Sequence, residues 1–139
     1  MQSFQNINYW AVLICGFAAT GLGALWYSPM MLGKLWLLTI DKSEEELREN
    51  FNPIKAYSVS FLAGLVTAYI LASLMSYTEV ASPQDGIRIA FMGWIGFTAT
   101  TMTISMIFEG KTFKQFVVDG GYHLIVFIVY GLILGAWQS

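Results

Sequence analysis

Few side chains in this 139-residue chain can do chemistry, and the two that stand out lie four positions apart. At that spacing Asp119 and His123 share one face of a helix, and Tyr130 falls on nearly the same face two turns further on. A carboxylate, an imidazole and a phenol in that order could pass a proton along the helix. Thr100 and Thr103 belong to a hydroxyl-rich stretch with Thr98, Thr101 and Ser105, and could complete such a path from a neighbouring helix. Counting back from Trp137 at about 1.5 Å per residue puts His123 roughly 21 Å from the outer interface, within hydrocarbon. An ionisable group at that depth marks a functional site by default, because charge is costly there. A structural role fits the same spacing: a neutral His123 bonded to Asp119 or to a carbonyl closes a bundle, and threonine hydroxyls bond back to the preceding turn.

Other chemistry is scarce. Cys15 and His123 are the sole cysteine and histidine, which excludes an intrachain disulfide and an intrachain Cys/His zinc site. A haem held between His123 of two copies has one histidine to support it. The chain lacks a Gly-rich phosphate loop, a nucleophile elbow and a dense acid/base cluster, so neither enzymatic activity nor a cofactor nor a metal is expected. The net charge of −2 comes mainly from the acidic cluster at 41–49 and argues against a nucleic-acid partner.

The elements that must position these residues are written in the charges. All seven Lys/Arg and all nine Asp/Glu fall within 34–55, 79–88 and 109–119. Between these windows the chain is uncharged, 56% of it is hydrophobic, and each free stretch is about as long as a helix needs to cross a ~30 Å hydrocarbon core. This predicts an all-α membrane fold, a single four-helix bundle with spans at about 7–28, 54–77, 84–108 and 115–137. The first stretch lacks the basic n-region of a cleaved signal peptide.

Tyr9 and Trp10, and Trp26 and Tyr27, frame the first span as headgroup-depth aromatics. After Pro29, residues 30–38 suit an interfacial segment, and Ser43 with Glu46 suits the capping box of a short, water-exposed acidic helix. Asn52-Pro53 and Ser82-Pro83 each supply an N-cap and an N1 proline, Gly110 supplies a stop, and Thr112 a further start. Gly120 and Gly121 mark a kink or a close approach.

Small residues recur every fourth position in the second span: Ala56, Ser60, Gly64, Ala68, Ala72 and Ser76. With Gly131 and Gly135 in the fourth span, and Gly93, Gly96, Thr100 and Thr103 in the third, they form grooves that let helix backbones approach closely in lipid. Lys34, Lys42, Arg48, Lys55, Lys111 and Lys114 lie on the first and third connections against Arg88 on the second, so both termini are expected outside the cytoplasm.

Trp26-Tyr27-Ser28-Pro29 followed by Leu32-Gly33-Lys34-Leu35-Trp36 resembles the hallmark of small bacterial membrane proteins grouped as domain of unknown function family 1761. Trp94 to Thr101, Phe108-Glu109-Gly110-Lys111, Gly121-Tyr122-His123-Leu124 and the 131–137 segment are similar to that family's later motifs. The resemblance implies a multi-span helical fold in a bacterial cytoplasmic membrane and no established activity. The acidic stretch 41–50 departs from the pattern and leaves room for a soluble partner. The function expected is that of a small membrane subunit, assembled with itself or a membrane partner, with a polar intramembrane site for a proton, an ion or a small solute. The alternative is an accessory protein whose packing is its whole role.

Overall fold

The computed structural model describes residues 7–27, Glu45 and residues 52–137. Four helices account for nearly all of them: α1 (Tyr9–Trp26), α2 (Pro53–Tyr77), α3 (Pro83–Glu109) and α4 (Phe113–Ala136). All four are long and apolar enough to cross a membrane, so the protein is an all-α, four-span membrane protein. The expected interfacial segment at 30–38 and the Ser43–Glu46 capping box lie outside the described residues.

Each helix starts where a short polar side chain can take an orphan backbone N–H. The side chains of Asn8, Asn52, Ser82 and Thr112 accept from the amides of Ala11, Lys55, Asp85 and Gln115, each at 3.2 Å. Pro53 and Pro83 occupy first turns, where a missing N–H costs nothing. Helix α3 ends at Gly110, whose φ of 72° is the left-handed cap that glycine adopts without a Cβ clash. Glu79, at φ 58°, makes the same kind of turn after α2.

The tightest pairing joins the first half of α3 to the second half of α4. A Cβ on Gly86 would stand 2.2 Å from the Gly131 carbonyl oxygen, one on Gly131 2.7 Å from Ile87 Cα, and one on Gly135 2.6 Å from the Ser82 carbonyl oxygen. Here the two backbones touch, which is how helices gain packing when apolar burial gives little drive. Gly131 and Gly135 thus find a partner in Gly86, a residue that no sequence pattern singled out. Helix α1 packs on α2 and α4.

Buried side chains gather toward one end of the bundle. Ala11, Cys15 and Ala19 of α1, Ala68, Leu71 and Met75 of α2, Ala90 of α3, and Val126, Tyr130 and Leu134 of α4 form the core. That end carries the second connection and both ends of the described chain. Toward the opposite end the helices bury little: α2 has no buried residue before Ala68, and the last ten residues of α3 have none.

One feature of α3 has no counterpart in the sequence patterns. Trp94–Ala99 is wound as a π-helix between two α-helical halves. Such wide turns are rare and cluster at functional sites.

Candidate functional site

The end of the bundle away from this core places Asp119, nearly two turns inside α4, against the last turn of α1. Tyr27, the residue that caps α1, donates its phenolic hydroxyl to Asp119 Oδ1 at 2.5 Å. Trp26 beside it donates its indole N–H to the Val118 carbonyl at 3.0 Å, and its ring lies where a Cβ on Gly121 would come within 3.3 Å. The close approach expected at Gly121 therefore exists, and it seats an indole; α4 itself runs unbroken through both glycines. Trp26 and Tyr27 are half-buried, and both bond to residues of α4. Tyr9 and Trp10, at the other end of α1, are exposed.

Next along α4, Tyr122 donates to the Ala19 carbonyl at 2.9 Å, and its ring tilts against that of Tyr27 with centroids 5.7 Å apart. Between α1, α2 and α4 these residues enclose a cleft of about 540 Å³. Its polar wall comprises Thr20, Tyr27, Tyr57, Ser60, Gln115, Asp119 and Tyr122, and Asp119 is the one carboxyl side chain among the described lining residues. On the other side, toward α3, Asp119 and Gln115 also border a cavity of about 160 Å³ with Thr101, Ser105, Glu109 and Lys111. Glu109 and Lys111 form an ion pair of 3.0 Å there. Asp119 thus faces a space on each flank of α4.

His123 does not join it. Among the described residues no hydrogen bond or ion pair links His123 to Asp119; the imidazole is exposed and lies against the Tyr122 ring at 5.1 Å. His123 and Tyr130 instead border a third cavity, about 180 Å³, which also touches Gly64 and Thr67. Tyr130 is fully buried and donates to the Gly64 carbonyl at 3.1 Å, tying α4 to α2. Thr100 and Thr103 do not reach the site either. Their hydroxyls bond back to the carbonyls of Gly96 and Ala99, one turn earlier in the same helix, and both residues are exposed. The five residues grouped by the sequence thus divide: Asp119 in the main cleft, His123 and Tyr130 beside a smaller cavity, and Thr100 and Thr103 on the outer face of α3.

The small-residue row of α2 divides in the same way. Ala68 and Ala72 are buried in the core, Gly64 receives Tyr130, Ala56 and Ser60 line the cleft, and Ser76 is half-buried. In α3, Gly93 is buried near Phe127 and Leu71, whereas Gly96 has open space around it. The residues that sequence patterns missed are Tyr27, Tyr57, Tyr122, Gln115 and Thr20. Two were marked indirectly, because the strings Trp26-Tyr27 and Gly121-Tyr122 carry the family resemblance and here meet across the bundle. Trp94, from another of those strings, donates to the Gly120 carbonyl at 3.2 Å and docks on the same stretch of α4.

The family described as "Protein of unknown function (DUF1761)" matches residues 10–135. No curated protein matches the chain, and no solved structure does.

Proposed function

The chain belongs to the DUF1761 family of proteins of unknown function, and we propose that it is a non-enzymatic, membrane-embedded subunit that binds a proton or small cation reversibly at Asp119. The observation that carries this is the position of one carboxylate, bonded by Tyr27, between spaces on both flanks of α4. A charge buried among apolar helices is unfavourable without a partner, so a carboxylate held there with spare acceptor capacity favours uptake of a positive charge. We place the protein in a bacterial cytoplasmic membrane with both tails on the far side. We further propose self-association or a membrane partner along the second half of α3, where Ile104, Ile107 and Phe108 are exposed and nothing is buried.

Dicyclohexylcarbodiimide, an apolar reagent that couples to protonated carboxyls reachable from the membrane, tests the site. Peptide mass spectrometry should show modification of Asp119 that declines as pH rises, and Asp119→Asn should carry none at that peptide. An Asp119 that stays unmodified at every pH overturns the proposal. The accessory alternative is favoured by one set of observations: Trp26, Trp94, Tyr122 and Tyr130 all spend their donors on carbonyls of facing helices. It expects Asp119→Asn to change melting temperature alone.

A further inference from the structure

The geometry points to a small organic ammonium as the cation that the Asp119 cleft accepts, a step that rests on the cation-binding function proposed for Asp119. Three tyrosines, Tyr27, Tyr57 and Tyr122, share the cleft with the carboxylate. The faces of such rings are electron-rich and attract a quaternary ammonium, whose N–H-free head holds water weakly. Asp119 accepts from Tyr27, and no other hydrogen bond or ion pair to it occurs among the described residues. A carboxylate offers about four lone-pair sites, so one phenol leaves most of its capacity for a ligand.

Size and charge exclude the competing occupants. The volume of about 540 Å³ falls in the range of small-molecule pockets, far beyond what one bare metal ion fills. No group of three His, Cys, Asp or Glu that could hold a metal occurs among the described residues. A neutral solute would make no use of the carboxylate's charge, which an ammonium would pair with. The two neighbouring cavities are poorer fits. The one toward α3 already contains the Lys111 ammonium paired with Glu109, and the one beside His123 and Tyr130 has no carboxylate among its described lining residues.

Choline and its uncharged isostere 3,3-dimethylbutan-1-ol separate charge from shape. With the full chain in detergent, choline and tetramethylammonium should protect Asp119 from carbodiimide in a concentration-dependent way. The isostere, and sodium chloride at matched ionic strength, should not. Tyr57→Leu should weaken choline protection about two- to fivefold, the loss of one cation–π contact at a partly exposed ring. Calorimetric titration of choline gives a second readout that needs no labelling: wild-type protein should bind, and Asp119→Asn should not. Equal protection by the isostere overturns the inference. So does modification of Asp119 that choline leaves unchanged, although cation binding at Asp119 then survives as a proton site. An unmodified Asp119 removes the proton site, and calorimetry still decides the inference: no choline heat overturns it.

Discussion

Among the ionisable side chains inside the bundle, what a residue touches decides its role more than how deep it lies. His123 is exposed and has no hydrogen bond among the described residues, so His123→Ala should lower stability by less than about 0.5 kcal/mol, as surface substitutions do. Tyr130 is its opposite. Tyr130→Phe removes the bond from a fully buried phenol to the Gly64 carbonyl and should cost about 0.5–1.5 kcal/mol. Thermal unfolding of the two variants in one detergent checks the order, and a larger loss for His123→Ala would contradict it. The expectation that His123 closes the bundle through Asp119 arose from spacing along one helix. Spacing fixes which residues share a face, and cannot fix that Tyr27 of another helix reaches the carboxylate first.

At the scale of elements, the glycines carry the packing, and they differ in what they face. Gly131 faces backbone, with a Cβ position 2.6 Å from the Gly86 carbonyl oxygen, so Gly131→Leu must push α3 and α4 apart. Gly64 faces the end of a side chain, with a Cβ position 2.9 Å from the Tyr130 hydroxyl, which can move aside at the loss of its bond. Overpacking costs about 1–3 kcal/mol, and Gly131→Leu should fall at or above the top of that range with Gly64→Leu inside it. Melting temperatures reversed in order would show that α3 and α4 separate more easily than their contact implies. The starts and stops of the helices were legible because local chemistry makes them: Asn52-Pro53, Ser82-Pro83 and Gly110 act within one turn. The Gly86 contact, the inward turn of Trp26 and the wide turn at Trp94–Ala99 were not, because each depends on an element far away in sequence or on winding that leaves no periodic mark.

For the whole molecule, the asymmetry of packing gives the topology a functional sense. The cleft lies toward the end of the bundle that bears the first and third connections, and those connections carry six of the seven basic residues of the sequence. If those connections face the cytoplasm, the cleft takes its ligand from that side. A reporter active only in the cytoplasm should be silent when fused after Ser139 and active when inserted near Asn50; the reverse pattern would turn the cleft outward. Charge-free stretches made the four spans legible, since a bilayer imposes length and polarity on every crossing. Where the cleft lies was not legible, since that follows from where side chains of different helices meet.

The π-wound segment of α3 can be viewed as one residue too many. A helix with five-residue bonding holds a surplus position that the flanking α-helical halves do not need for their own register. Deleting a single residue there, such as Phe97, which is 72% exposed, should let the turn relax to ordinary winding while both halves keep the faces they now present. Deleting Ala90, buried on the α4 contact, should instead rotate everything before or after it by about 100° and break the seam at Gly86. Expression level and melting temperature of the two deletions give the comparison. Near-native values for the loss of Phe97 would identify α3 as a regular transmembrane helix that has absorbed an insertion, and equal collapse of both would show that the wide turn is itself required.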